Sequence, residues 1–267
     1  MRVTTKLRNL LYEPDVRLID VDENRLLDIH REILQRKSLL RSAFETFYRE
    51  MSKCCDHFLP ISGLEIELGS GAGFFKRIRP DVVTSDIRIA PYIDRMIDAD
   101  DMDLPEESVR CFYAINVFHH LPVPERFFME LSRTLKPGGG CILIEPHNGL
   151  ASRLLHRYLH KDEHFNPKAS TWKNIGTHGP MSKANQALAY IVFERDSKLF
   201  YEKYGKLLEI AYRSYCPNSF RYLFSGGLNF RQLLPSMTEP LLRKMENSAC
   251  RWARYWSFHQ IIVLKKL

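Results

Sequence analysis

The chain has 267 residues, 45% of them hydrophobic and 12% aromatic, with a formal net charge of +7. That size holds one large α/β domain with elaborations, or two small domains, and the positive balance admits nucleic acid, an anionic membrane surface or an acidic substrate alongside a soluble enzyme with a basic exterior. The six cysteines form no C-x-x-C and no Cys/His pair at zinc-ligand spacing, and no apolar stretch reaches bilayer length, which excludes a cysteine zinc site and a membrane-spanning helix.

Residues 1–8 have no long apolar core, so no signal peptide is expected. Cys111 and Cys141 fall in apolar runs, where a free thiol is a small core hydrophobe, and the expected compartment is the reducing cytoplasm. Residues 1–21 read as irregular, with an extended piece at 16–19. From Asp22, a plausible helix cap, apolar residues recur three or four apart (Leu26, Ile29, Ile33, Leu40, Phe44, Phe47, Met51, Cys54, Phe58) until Pro60 and Gly63 close the segment. The pattern predicts one long helix or two consecutive ones, so residues 1–60 form an N-terminal helical extension to a domain covering 61–267.

Strand-like runs follow at 64–68, 82–86, 96–99, 109–118 and 141–145. A short helix is expected after the first, a loop at 100–105, a helix at 124–135 and a turn at 136–140. This alternation predicts an α/β doubly wound, mostly parallel sheet. The rhythm then breaks. A helix is expected at 149–160, a loop or lid at 161–180, helix at 182–204, a strand at 207–212, an insertion containing a helix around 236–255, and a last strand at 259–264. The two elaborations span about 147–205 and 216–256.

The stretch Glu67-Leu68-Gly69-Ser70-Gly71-Ala72-Gly73-Phe74-Phe75 reads as strand, glycine-rich turn and helix start. Phe74 stands where the dinucleotide fingerprint needs its third glycine, and no Gly-Lys-Ser/Thr exists for a phosphate loop. A carboxylate at Glu67, inside a strand buried on both faces, is costly unless paired and carries the wrong sign for a pyrophosphate. Ligands of open α/β sheets bind beyond the carboxyl ends of the strands. Those ends carry Glu67 to Gly73, Asp86, Asp100 with Asp101, and Asn116 to His120. An anionic rim of this kind suits a ligand with an adenosine, a free ammonium and no phosphate.

Together these residues resemble the class I S-adenosylmethionine-dependent methyltransferases, in the small-molecule branch similar to the ubiquinone/menaquinone methyltransferases (methyltransferase type 11-like). The resemblance covers about residues 60–146. Residues 67–73 look like the family's first motif, Asp86 like its ribose-binding acid, residues 100–105 like its adenine loop, and Leu135-Lys136-Pro137-Gly138-Gly139 like the turn before its fifth strand. The resemblance implies a Rossmann-like sheet of about seven mostly parallel strands with an antiparallel last strand. It implies that Gly69, Gly71 and Gly73 lie against the methionine moiety, that Glu67 holds its ammonium and that Asp86 accepts both ribose hydroxyls. Asp100 would take the adenine amino group and the Asp101 N–H an adenine ring nitrogen, while Ser70, Ile87 and Asn116 complete the donor-binding set.

The implied reaction is in-line transfer of a methyl group from S-adenosyl-L-methionine, leaving S-adenosyl-L-homocysteine, to a small-molecule or glycan-type acceptor, at oxygen. His119 or His120 is the natural base near neutral pH. His119 is favoured because it comes sooner after the strand end. Glu145 or His147, closing the fifth strand, would bind or deprotonate the acceptor. His156, His160, His164 and His178 read as scattered polar residues, and no metal is expected. A nucleic-acid methyltransferase is the first alternative, but Asn116-Val117-Phe118-His119 lacks the Asn/Asp-Pro-Pro-aromatic motif of the base-amino enzymes. The second is a non-catalytic donor-fold module or a protein at a membrane surface. It is suggested by Trp252, Trp256 and Phe258 interleaved with Arg251, Arg254, Lys265 and Lys266, an arrangement suited to peripheral contact with anionic lipid.

Overall fold

The computed structural model describes residues 11–17, 19, 20, 22–158, 164–174 and 184–267, the side chains of 156–158 excepted. The first five strand-like runs form a parallel sheet of β1 (Leu64–Leu68), β2 (Val83–Asp86), β3 (Arg95–Met96), β4 (Val109–Ile115) and β5 (Leu135–Pro146). β6 (Leu208–Tyr215) and β7 (His259–Lys266) extend it. β7 runs antiparallel to both of its neighbours, and the order across the seven strands is β3-β2-β1-β4-β5-β7-β6. The expected Rossmann-like sheet with its antiparallel last strand is therefore present.

Side chains on the central strands alternate between two cores, as a pleated strand requires. Phe112, Ala114, Cys141 and Leu143 face one core, which includes Phe127, Phe128 and Leu131 of α3 (Pro124–Thr134). Cys111, Tyr113, Ile142 and Ile144 face the other. That second core is closed by the N-terminal helices α1 (Arg25–Arg36) and α2 (Ser38–Phe58) through Ile33, Leu34, Leu40, Phe47 and Met51. The sequence left one helix or two open; there are two, broken at Lys37, which is extended at φ −88° and ψ 96°. The break is fixed by a buried ammonium. Lys37 Nζ lies 2.8 Å from Glu13 and donates to the carbonyls of Gly227 (3.0 Å) and Phe230. α1 starts at Arg25, so the residue at its cap position is Asn24 rather than Asp22, and the Asn24 side chain makes no capping hydrogen bond.

Several local expectations are corrected. The helix after the glycine turn is only a 3₁₀ turn, Phe75–Arg77, because Pro80 holds Arg79 away from helical backbone a few residues on. β3 begins one residue earlier than expected and pairs only Arg95 and Met96 with β2. β4 stops at Ile115, because Asn116 takes a left-handed φ of 57°. The run at 136–140 is a bulge within β5 rather than a separate turn, since Leu135 pairs with Val109 and Gly140 already pairs with Cys111. A Cβ on Gly140 would sit 2.2 Å from the Leu264 carbonyl oxygen, so glycine there permits close strand approach.

Among the described residues, the late chain comprises α4 (Leu150–Tyr158), α5 (Leu188–Tyr190), a π-turn at Ile191–Arg195, α6 (Ser197–Tyr204), α7 (Ser219–Ser225), α8 (Glu239–Ala249) and α9 (Ala253–Trp256). Residues 164–174 carry no regular helix or strand, and the rest of the expected loop, at 161–163 and 175–180, lies outside the described residues.

Candidate active site

The carboxyl ends of β1, β2 and β4 open into a cavity of about 590 Å³, closed above by α1 and by the chain around 226–230. This is the crevice where the strand order reverses between β1 and β4. Glu67, Gly69, Ser70, Gly71, Asp86, Ile87, Asp100, Asn116, His119 and His120 all line it. Gly73, Asp101, Glu145 and His147 do not.

The glycine turn keeps Gly69, Gly71 and Gly73 at φ 60°, 51° and 66°. Gly69 shows the tightest fit, because a Cβ there would lie 2.4 Å from Val117 Cγ2. Gly69→Ala therefore meets both left-handed strain and a side chain. We expect a loss of about 1–3 kcal/mol, read as a lower urea midpoint at unchanged m-value. Gly73 closes the turn from outside the cavity, its N–H donating to the Ser70 carbonyl (2.9 Å).

Asp86 is buried at the end of β2. Its Oδ2 accepts the Gly71 N–H (3.1 Å) and its Oδ1 accepts the Arg88 N–H (3.0 Å), with Arg88 Nε at 3.4 Å. Glu67 is buried too, and its Oε2 has no partner among the described residues. Burial, reinforced by the nearby Asp86 charge and opposed by a hydrogen bond from Ser70, pushes its carboxyl up to about 8. Asp100 lines the cavity with an Oδ1 that has no partner among the described residues, and burial, with Asp98 beside it, raises it to about 6. Asp101 differs from the expectation: it is exposed, and its N–H is turned to the Asp98 carbonyl at 3.2 Å, closing a local turn rather than facing the cavity.

The segment after β4 is held from beneath. Glu145, fully buried on β5, accepts the N–H groups of Val117 (2.9 Å), Phe118 (2.8 Å) and His119 (3.3 Å). The same carboxylate lies 2.6 Å from His119 Nδ1. Glu145 thus caps the 3₁₀ turn Phe118–His120 and orients its first histidine from outside the cavity lining. His147 is turned away as well: its Nε2 lies 3.1 Å from the Arg254 carbonyl and its ring packs on Tyr215. Burial lowers its pKa, and Arg213, Arg153 and Arg254 add to the effect.

Sequence reasoning missed His30, Arg88, Tyr48, Gln186 and His259, all of which line the cavity. His30 sits in the stripe Leu27, His30, Leu34 on α1, one polar residue on an otherwise apolar helical face, and that was the available signal. Burial and the Arg88 charge push it down to about 4, so it is neutral. Arg88 Nη1 and Gln186 Oε1 have no partners among the described residues. No cluster of three His, Cys, Asp or Glu among the described residues has the arrangement of a metal site. His164 is exposed, while the His156 side chain, His160 and His178 lie outside the described residues. No helix among the described residues is long and apolar enough to cross a membrane.

Residues 74–143 match the model of a protein family described as a methyltransferase domain. No curated protein matches the sequence significantly. Similar solved structures include geranyl diphosphate C-methyltransferase from Streptomyces coelicolor, at 12% identity and a TM-score of 0.45 over 82% of this chain and 75% of that one. Another is a putative Haloferax volcanii methyltransferase solved with the Trm112 methyltransferase activator, at 12% identity and 0.45 over 86% and 97%. A third is a putative methyltransferase from an antibiotic biosynthesis pathway of Anabaena variabilis, at 14% and 0.42 over 82% and 97%. Likeness this distant carries no argument about substrate. The matched segment holds β2, β3, β4 and most of β5, and with them Asp86 and Asp100; β1, Glu67 and the glycine turn lie ahead of it. Strand order and rim chemistry agree with the match of residues 74–143 to a methyltransferase domain.

Proposed function

We propose that this cavity methylates a small, largely apolar acceptor at a hydroxyl oxygen. One observation carries the reading: a single cavity joins Glu67, Asp86 and Asp100 to His119, and continues past them to Phe44, Leu155, Leu223, Leu228 and Phe258. The acid-lined end fits the donor, since each of its acids has a matching group there. Glu67 would hold the ammonium, Asp86 the ribose hydroxyls, Ile87 the adenine face and Asp100 the adenine amino group. The aliphatic and aromatic end favours an apolar acceptor over a sugar-like one. The donor supplies an activated methyl group, so the protein has to align the acceptor and exclude water.

His119 is the base in this reading. The Glu145 carboxylate at Nδ1 holds the proton on that nitrogen, which leaves the basic lone pair on Nε2. An Asn116 Oδ1 with no partner among the described residues lines the same region and would orient the acceptor or donor through a hydrogen bond.

The test is calorimetric titration of S-adenosylmethionine and S-adenosylhomocysteine into wild type and Asp86→Ala. Charge-assisted hydrogen bonds to a diol are worth enough that the variant should bind roughly 10- to 100-fold more weakly. Equal affinity in the two proteins, or no binding to wild type, would overturn the donor site as drawn.

A further inference from the structure

The late helices carry an apolar face that no described residue covers. On α8, Leu242 and Glu246 point inward, whereas Leu241 and Met245, one turn apart, are exposed. Trp252 and Tyr255 follow in the next turns, both exposed, with ring centroids 6.2 Å apart. α9 packs beside α4, whose Leu150 and Leu154 are again exposed and one turn apart. Large apolar side chains presented in i, i+4 pairs on neighbouring elements, instead of singly, mark an interaction surface.

Among the described residues, the exposed charges on these elements are cationic. Arg153, Lys244, Arg251 and Arg254 are exposed on the same elements. The acids of α8 are spoken for: Glu239 is bridged by Arg243 (2.5 Å) and buried Glu246 by Arg221 (2.7 Å). The stretch singled out in the sequence is thereby redrawn. Phe258 is buried, Trp256 stacks on Phe220 at 4.8 Å, and Lys266 bonds Glu107 and the Leu135 carbonyl across the sheet. Trp252, Tyr255, Arg251 and Arg254 remain on the surface, joined by the α4 and α8 pairs.

We propose that this face seats on an anionic lipid bilayer. Aliphatic and indole side chains framed by long cationic ones match the boundary between acyl chains and acidic headgroups. A second copy of the chain fits less well, because a two-fold contact would set the same cations against each other. A nucleic acid would satisfy the cations but leave the leucines and methionine without apolar partners. The same part of the chain reaches the catalytic cavity, since Leu155 of α4, Leu233 ahead of α8 and Phe258 after α9 line it. Seating would therefore bring the apolar end of the cavity to the lipid boundary, where an apolar acceptor resides. The docking claim stands without that reading of the acceptor.

The test is flotation of the full chain with vesicles of phosphatidylcholine alone and of phosphatidylcholine with phosphatidylglycerol. Binding is expected to the second only, weakening with salt, with a blue shift and reduced quenching of tryptophan emission. Lys244→Glu combined with Arg251→Glu should lower the partition about tenfold or more, and so should Trp252→Ala with Leu241→Ser. Donor affinity, measured separately, should stay at the wild-type value in both variants, because none of these residues touches the cavity. No preference for the anionic vesicles, a dimer in sedimentation that Leu241→Ser dissolves, or tighter binding to duplex RNA than to vesicles would each overturn the proposal.

Discussion

Glu145→Gln should lower kcat by about 10²–10⁴-fold, the usual worth of a general base, while leaving the donor Kd within a few-fold of wild type. An amide keeps one carbonyl oxygen for the N–H groups of Val117 and Phe118 but presents an NH₂ to His119 Nδ1. The imidazole must then accept at Nδ1, which puts its proton on Nε2 and removes the base. Glu145→Ala goes further. It strands three buried backbone donors, and a loss of about 3–5 kcal/mol in stability is expected. Single-turnover rates as a function of pH, together with urea unfolding, separate the two effects. If Glu145→Gln turns over at the wild-type rate, the dyad is structural only.

The second large effect concerns pH and donor affinity. The Glu67 carboxyl, raised to about 8 by burial and by Asp86, is mostly protonated in the empty site at pH 7. A cationic group bound against it favours the carboxylate, so donor binding should release close to one proton at pH 7. The apparent Kd should tighten by up to about tenfold per unit as pH rises from 6 towards 8, then level off. Calorimetry in buffers of different ionisation enthalpy measures the release directly. Glu67→Gln should abolish both the release and this part of the slope. The same shift acts on stability with a definite sign. The folded pKa lies above the unfolded value near 4.5, so this group's contribution is fully present below 4.5 and is lost as pH rises through about 8. Bound donor should restore it.

Much of the proposed donor site was legible because its residues follow strand ends, and strand ends can be read from apolar runs. Glu67, Asp86, Asp100 and the glycine turn were found in that way. What escaped depended on contacts across the fold. Glu145 looked like a catalytic acid at a strand end, but its partners are backbone groups of a segment 26 to 28 positions away, whose path bends at the left-handed Asn116. Asp101 looked like part of an adenine loop, yet a tight turn to Asp98 spends its N–H locally. His30 belongs to the cavity only because α1 folds back over the sheet, and Arg88 because its N–H bonds Asp86 at the end of β2. The glycine-rich run at 136–140 has turn composition, and nothing local reveals that β7 presses against it.

Lys37 has a kinetic consequence. Its ammonium fastens the junction of α1 and α2 to the carbonyls of Gly227 and Phe230, and both of these residues line the cavity from above. α1 lines the cavity through Leu27, His30 and Leu34, and the chain at 226–230 lines it as well. One buried pin thus makes the two covers a single door. The two covers are expected to move together, so that lifting one exposes both ends of the cavity at once.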